Sequence, residues 1–509
     1  MAPPETQPPP LTGLLLVLGT LAMSLGVFMN VLDMSIANVS LPTIAGDLGV
    51  SPNQGTWIIT SFAVANAISI PLTGWLTERI GQVRLFVAST VLFTLASWLC
   101  GLAPNIETLI AARILQGAVC GPMIPLSQSL LLSSYPKSKA GLAMAMWGMT
   151  MLVAPVVGPL LGGWITETFS WPWIFYINIP IGFGSAALTW ALYKNRETRT
   201  QKLPIDKIGL VLLVVWVGAL QILLDKGKEL DWFASPVVIT LAVVAAVGLA
   251  VFIVWELTDD HPIVDLSLFR ERNFLVGTVA MGLAFGAYFG NVVLLPLWLQ
   301  QFMGYTATWA GLVTAPVGIL AIVVSPIVGK KIDTTDARMI VTVSFLIFAV
   351  VMWMRSQFNT SVDPQTILLP IVIQGIALAT FFVPLITLTL SGLPPERIPA
   401  ASGLSNFVRI IAGAFGTSIG TTLWEDRATF HRSRMAEGLS EDNPVLNGYL
   451  EGFEAHGVTQ EQGLAIIDRL AVQQAYTIGI DEIFLASAAL YLLMIPLLWF
   501  ARPAQNQPA

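Results

Sequence analysis

Asp33 and Arg113 are the charges that the rest of the sequence does least to accommodate. They stand in Val31-Leu32-Asp33-Met34-Ser35-Ile36-Ala37-Asn38 and in Ala111-Ala112-Arg113-Ile114-Leu115-Gln116-Gly117, inside apolar runs long enough to cross a bilayer. A charge at that depth costs roughly 2.5 kcal/mol or more, and is retained for pairing, proton relay or ligand contact. The two runs traverse in opposite directions. Asp33 lies about eight residues before the end of its span and Arg113 about seven after the start of its own, so both sit roughly 10–12 Å below the same surface. Equal depth and opposite sign make them partners. The pair is either a static tie between helices or a carboxylate that binds and releases a proton as its surroundings change. A third charge at depth, Arg409, lies in the C-terminal half.

Other chemistries are poorly served. His261, His431 and His456 fall in polar connections and lack metal-ligand spacing, so no metal site is expected. Cys100 and Cys120 lie in apolar runs and read as small buried hydrophobes. No GxxxxGK[ST] phosphate loop occurs, which argues against ATP hydrolysis by this chain. No catalytic cluster is visible near a membrane surface. The chain is therefore read as a non-enzyme without a cofactor.

The elements that carry these residues follow from composition. Of 509 residues, 55% are hydrophobic and 11% charged, against about 25% charged in soluble chains. A span needs roughly 20 apolar residues. Fourteen fit, near 11–41, 55–76, 84–103, 106–133, 141–166, 171–193, 208–225, 235–256, 273–300, 309–329, 339–356, 365–391, 402–424 and 481–502. Lys and Arg in the short connections alternate, fifteen on one side against Lys226, Lys228 and Arg355 on the other. The positive-inside rule then places both termini in the cytoplasm. Residues 1–10 are Pro-rich, without the basic n-region of a signal peptide, and read as a disordered tail. Residues 503–509 form a second cytoplasmic tail. The stretch 425–480 is too polar to span, and its apolar residues at helical spacing predict two or three short amphipathic helices outside the membrane.

A weak repeat divides the chain. Pro71-Leu72-Thr73-Gly74 precedes Arg84 as Pro326-Ile327-Val328-Gly329 precedes Arg338. The fold class is thus all-α integral membrane: a six-helix bundle over 11–193, a basic linker 194–207, two inserted helices over 208–256, and a second six-helix bundle over 273–502. A substrate site is expected between the bundles near mid-membrane. Asn30, almost one turn before Asp33, and Phe285, Tyr288 and Asn291 on the ninth span are the candidates to line it.

Two motifs remain. Gly74 through Leu85 holds Gly74, Glu78, Arg79, Gly81 and Arg84 in a tight turn, with Glu78 expected beside the start of the thirteenth span, around Ala400 to Ser402. In the fifth span Ala154, Gly158 and Gly162 repeat every fourth position, together with Pro155, Pro159 and Gly163. That stripe permits close helix approach and is expected to face Gly311, Ala315 and Gly318 of the tenth span. Its two prolines predict a bend.

These segments resemble the major facilitator superfamily. The Gly74–Leu85 run resembles its loop signature. Leu32-Asp33 through Leu41-Pro42, Arg113-Ile114-Leu115-Gln116-Gly117, Gly158-Pro159 with Gly162-Gly163, and Trp171 through Gly182 look like the fourteen-helix drug/proton antiporter branch. Leu224 through Trp232 and Leu390 through Arg397 are similar to a multidrug exporter type of Gram-negative inner membranes. The resemblance implies alternating access, with proton influx driving export of hydrophobic cargo and no cofactor. Asp33, the acidic residue well inside a span of the first bundle, is then expected to carry the coupled proton, with Arg113 as its partner. The resemblance also implies a membrane-fusion-type periplasmic adaptor and an outer-membrane channel as partners. A dedicated exporter of one metabolite or siderophore is the alternative; it predicts a more polar cavity than these sparse charges offer. Gln82 and Val83 depart from the superfamily loop, which has a basic pair there.

Overall fold

The computed structural model describes residues 10–136, 139–201, 204–332, 334–437 and 443–503. The tail 1–9, Lys137, Lys202 and residues 504–509 lie outside the described residues, as does the side chain of Pro159. Among the described residues all regular structure is helical. Twelve helices are long and apolar enough to cross a membrane, and two bent pairs bring the number to fourteen.

The first six spans are Gly13–Asp47, Trp57–Ser69 with Thr73–Ile80, Gln82–Gly101, Ile106–Ser134, Gly141–Pro155 with Leu160–Thr168, and Trp173–Tyr193. The inserted pair is Lys207–Lys226 and Pro236–Thr258. The last six are Arg272–Gln301, Trp309–Lys331, Ala337–Arg355, Pro364–Leu390, Pro395–Glu437 and Gln460–Trp499. Pro71 separates the two parts of the second span, which bend by 61°; a ring without an N–H cannot continue the helix ladder. The fifth span bends by 44° between its proline-flanked halves.

The bundles touch at the end that carries Arg79, Arg84 and Arg338, here the basic end. The contacts are made by missing side chains. A methyl on Gly74 would lie 2.7 Å from Ala400 Cβ, and one on Gly329 would lie 2.9 Å from Ala145 Cβ. One on Gly141 would strike Ile332 and lie 2.5 Å from the Gly329 carbonyl oxygen. Each bundle thus sets the end of its second helix against the start of the other's fifth. The repeated glycines Gly74 and Gly329 occupy equivalent places in that exchange.

The stripe on the fifth span packs elsewhere than expected. A methyl on Gly158 would lie 2.5 Å from Ser35 Oγ, and one on Gly162 would lie 2.9 Å from Ile36 Cγ1, both on the first span. Gly311 and Gly318 have nothing within 4 Å of the corresponding position. The fifth and tenth spans do meet, but through Gly141, Ala145, Gly329 and Ile332. A small-residue stripe specifies a short interhelical distance and leaves the partner open.

The turn after the second span is pinned by the linker. Gly81 has φ +95°, and a methyl there would lie 2.5 Å from Glu197 Cδ. The Glu197 carboxylate accepts from Val83 N at 3.0 Å and Arg84 N at 2.8 Å, capping the third span from outside its own chain segment. Val83 is fully buried and Gln82 nearly so; the basic pair of the superfamily loop would have no water there.

The stretch 425–480 also corrects the expectation. The thirteenth span continues without a break to Glu437, and the fourteenth begins at Gln460. Among the described residues, Pro444–Glu454 is the one separate short helix between them. Extending a helix is cheaper than nucleating one, and neither 425–437 nor 460–480 contains a proline. The arms are joined by Arg427–Glu482 at 2.5 Å, His431–Glu482 at 3.1 Å and Arg432–Asp468 at 2.9 Å. Leu446 and Leu450 are buried beneath the tip.

Three residues counted as outer-loop charges behave differently. Lys226 is buried, donating to Thr56 Oγ1 at 2.5 Å and paired with Glu229 at 3.0 Å. Lys228 reaches Glu425 of the thirteenth span at 2.7 Å. Ser418 and Thr422 of that span bond Leu224 O and Trp232 Nε1, and Thr60 bonds Asp225. The seventh span is thereby fastened to both bundles at the hairpin end. Arg355 is 2% exposed and donates to Gln374 Oε1 at 2.5 Å inside the C-terminal bundle.

Replacing Gly81 by Ala, or Glu197 by Ala, is expected to cost about 1–2 kcal/mol each through the same lost cap. The double variant should cost clearly less than the sum, read as thermal unfolding of the purified protein by tryptophan fluorescence. Additive losses would show that Gly81 does not make room for Glu197. Gly158→Leu should destabilise strongly by overpacking the first span, with Gly311→Leu staying within about 0.5 kcal/mol. The reverse order of the two melting temperatures would contradict this packing.

Candidate functional site

The N-terminal bundle is organised around one carboxylate. Asp33 is 0% exposed and Arg113 is 1% exposed. Arg113 Nη1 lies 2.5 Å from Asp33 Oδ2, and Gln116 Nε2 and Asn178 Nδ2 donate to Asp33 Oδ1 at 3.0 and 2.9 Å. Arg113 also donates to Gln116 Oε1 at 2.7 Å and through Nε to the Ile58 carbonyl at 3.1 Å. Its guanidinium stacks 4.1 Å from the Phe62 ring. Asn178 is held in turn by Ser97 at 2.9 Å. Five spans contribute to this network. Burial of the charged groups is offset by pairing and by hydrogen bonds to both carboxylate oxygens.

Sequence reading paired Asp33 with Arg113 and overlooked Gln116, Asn178 and Ser97. Gln116 follows Arg113 by three residues, so it shares a helix face. Asn178 is an amide inside the sixth span. Polar groups at membrane depth near a buried charge were the available signal.

Asn30 is fully buried; its amide donates to the Cys120 carbonyl at 3.3 Å and its Oδ1 has no partner. Phe285 stacks with Phe289 at 4.5 Å and meets Phe382 edge-on, with Arg409 4.8 Å above its ring. Tyr288 packs against Phe348. Asn291 departs from the expected cavity wall: it donates to Ser487 of the fourteenth span at 2.8 Å, inside the C-terminal bundle. Six residues further along the helix, the amide points about 120° away from the face that Phe285 occupies.

At the basic end Glu78 lines a groove with Gly74, Trp75, Asp265, Arg397 and Ala400. It stands beside the start of the thirteenth span, and no hydrogen bond joins its carboxylate to that helix end among the described residues. Arg79 stacks on Trp75 at 5.3 Å, and Arg84 lies 4.0 Å from Glu197. In the second bundle Asp336 caps the eleventh span and bonds Arg338 at 2.7 Å; the Arg338 guanidinium holds the Asp336 carboxyl below the usual carboxylate range. In the fifth span Pro155 is exposed, Gly158 and Gly162 are buried against the first span, and nothing lies within 4 Å of a methyl placed on Gly163.

The sequence pattern of the Major Facilitator Superfamily matches residues 23–417. The chain is 52% identical over 498 residues to the multidrug export protein EmrB of Escherichia coli K12, covering 98% of this chain and 97% of that one. It is 51% identical over 495 residues to the fatty acid resistance protein FarB of Neisseria gonorrhoeae, covering 97% and 98%. The solved structure of the human organic anion transporter MFSD10 superposes with a TM-score of 0.61 at 14% identity, covering 97% of this chain and 100% of that one, and shares the fold. Near-complete coverage at half identity, on a matching helical architecture, makes this chain a member of the Major Facilitator Superfamily and an EmrB-like transporter.

Proposed function

We propose that the chain exports hydrophobic small molecules in exchange for protons, with Asp33 carrying the proton. The observation that carries this reading is the Asp33 network: a carboxylate sealed from water and lipid, with every oxygen engaged by Arg113, Gln116 and Asn178. On this reading the ionised carboxylate locks the bundle. Protonation cancels its attraction to Arg113 and lets the network rearrange, so proton binding and bundle rocking become one event. The names of the relatives support an apolar cargo: EmrB is a multidrug export protein and FarB a fatty acid resistance protein. Equal similarity to both favours a permissive exporter over a carrier for one metabolite or siderophore. The proton gradient is the energy source, and no cofactor is needed.

On this reading the basic end and both termini lie in the cytoplasm of a bacterial inner membrane, and the Lys and Arg count supports that orientation. With that orientation, the glycine contacts support an arrangement closed toward the cytoplasm. The helical hairpin would stand in the periplasm, about 20 Å or more beyond the bilayer by helix rise, where a membrane-fusion-type adaptor could reach it and continue to an outer-membrane channel. Val445 and Tyr449 are exposed one turn apart on the tip helix, as a docking face requires.

Asp33→Asn should abolish uphill export in proteoliposomes with an imposed pH gradient. It also strands Arg113 as a buried charge, at about 3–5 kcal/mol, so the Asp33→Asn/Arg113→Gln double variant is the cleaner test. It should regain stability and still fail to couple. Uphill export of a neutral cargo at normal rate by either variant would remove Asp33 from the coupling step. Deleting 433–467 above the Arg432–Asp468 pair, with a short Gly/Ser bridge, should spare transport in inner-membrane vesicles and abolish whole-cell resistance and adaptor co-purification. Retained co-purification would place the docking surface elsewhere.

A further inference from the structure

The base of the inserted hairpin holds two buried carboxyls that face each other without a cation. Asp206 caps the start of the seventh span, and Glu256 lies in the last turn of the eighth; they are 8% and 4% exposed. A methyl on Gly209 would strike Asp206 Oδ2 and lie 2.6 Å from Glu256 Oε1, so oxygens of both groups close on one missing side chain. Among the described residues no Lys, Arg or His is within ion-pair distance of either carboxyl. Lys207, Asp260, His261 and Arg270 are exposed around them. Asp265 is paired with Arg397 at 2.6 Å, and Asp259, which ends the eighth span, only adds negative charge. Two carboxyls in contact and out of water cannot both be ionised.

The hydrogen bonds say which oxygen holds the proton. Asp206 accepts on both of its own: Oδ1 from Gly209 N at 2.8 Å, and Oδ1 and Oδ2 from Trp255 Nε1 at 3.1 and 3.0 Å. Donors on both oxygens suit an ionised carboxylate, which only accepts. Glu256 is divided. Its Oε2 accepts from Val264 N at 2.9 Å, while Oε1, the oxygen turned toward Asp206, is buried without a partner. One accepting oxygen and one unfilled oxygen is the pattern of a carboxylic acid whose O–H donates to its neighbour. A hard divalent cation would take about six or more oxygen ligands. Here the pair is ringed instead by the N–H groups of Gly209, Trp255 and Val264, which repel a metal ion.

We propose that Asp206 and Glu256 share one proton, carried on Glu256 Oε1 and donated to Asp206, and that this second proton site fastens the base of the inserted hairpin to the segment 262–265. With the proton in place the seventh and eighth spans close on Gly209, and Glu256 keeps its hold on Val264 N. Loss of the proton sets two buried negative charges against each other and loosens both contacts. The residue after Val264 is Asp265, which holds Arg397 at the start of the thirteenth span beside the groove that contains Glu78. The tie therefore ends at the junction between the bundles. It shares no residue with the Asp33 network and does not rest on the exporter reading.

The test is infrared absorption of the purified protein in dodecyl maltoside, a detergent without a carbonyl, after growth on glutamate carrying heavy carbon in its side-chain carboxyl. At about pH 7, where an ordinary glutamate is ionised, wild-type protein should show a carboxylic-acid C=O stretch that moves with the label. Glu256→Gln should remove it. Asp206→Asn takes away the facing charge, so the Glu256 band should titrate with about tenfold or more lower proton affinity; this variant keeps the test alive if Glu256→Gln does not fold. Melting followed by tryptophan fluorescence gives a second reading. The folded wild type holds a proton that the unfolded chain releases, so its folded-to-unfolded ratio should fall by up to about tenfold per pH unit as the pH rises. Glu256→Gln, with an N–H in place of the O–H, should lack that loss and melt above the wild type by a margin that grows toward about pH 9. Absence of the glutamate band in the wild type at about pH 7 would overturn the proposal, as would a band kept in Glu256→Gln or a titration unmoved in Asp206→Asn. A Glu256→Gln protein that melts below the wild type at every pH would also overturn it, by showing an ionised Glu256 that serves only as an acceptor for Val264 N. Asp33→Asn should keep the band even where it abolishes export, which separates this site from the coupling carboxylate; loss of the band there would overturn the independence of the two.

Discussion

The pairing of Asp33 with Arg113 is the constraint around which the N-terminal bundle is built. Lipid offers no hydrogen bonds and water is excluded, so a charge on a spanning helix must be met by another part of the protein. Arg113 is satisfied by Asp33 on the first span, by Gln116 on its own, and by the Ile58 carbonyl on the second. Asp33 is completed by Asn178 on the sixth, which Ser97 of the third steadies. Each donor fixes the rotation of the helix that bears it. The fifth span, which supplies no group to the network, is brought in by shape. Gly158 and Gly162 let it close on Ser35 and Ile36, the residues that follow Asp33 in the first span.

The two bundles share a path of the chain but differ in what holds them together. Where the first uses a charge network, the second stacks rings: Phe348 lies 4.8 Å from Tyr491 at an interplanar angle of 11°, with Phe345 and Phe381 packed around them. Its buried side-chain contacts are separate bonds, among them Asn291 to Ser487, Arg355 to Gln374 and Trp298 to Thr477. What the repeat preserves is the junction. Gly74 against Ala400, and Gly329 against Gly141 and Ala145, are the same contact made twice with the bundles exchanged.

The fourteen spans were legible because hydropathy records solvent preference directly, and their boundaries differ from the observed ones chiefly where helices outrun the membrane. That excess was illegible at 425–480, where a polar sequence is equally compatible with short helices and with the continuation of long ones. Asp33 and Arg113 could be paired from depth and sign alone. The fifth span's partner could not be read, because glycine spacing encodes how near a neighbour comes and carries no label for which neighbour. Glu78 was placed beside Ala400, and the groove there includes both residues, but the carboxylate that caps a helix at this turn is Glu197, on the third span. That substitution was hidden because the linker's return to Gly81 is a tertiary event. Arg355 and Lys226 misled by position: a charge at the end of a span reads as solvated, whereas Gln374 and Thr56 draw these two inward.

Where the strong interactions are placed bears on how such a molecule can move. The buried ion pair lies wholly within one bundle, so the surface that separates when the bundles move is not the one that holds the charges. Between bundles at the basic end the contacts are van der Waals approaches of glycine and alanine, with Asn406 to Gln128 as a hydrogen bond among them. Such contacts are individually weak and vanish over a fraction of an ångström, which suits a surface that must separate and re-form. The first and fifth spans connect the two regions. Ser35, two residues from Asp33, donates to the Pro155 carbonyl at the bend of the fifth span, and the other end of that span carries Gly141 onto Gly329. A change of charge at Asp33 that loosens the first span therefore acts on the fifth at its bend, where proline has already removed helix hydrogen bonds that would resist it. Under the proposed proton exchange, this packed path is the physical means by which one proton can tilt a junction more than a span's half-length away.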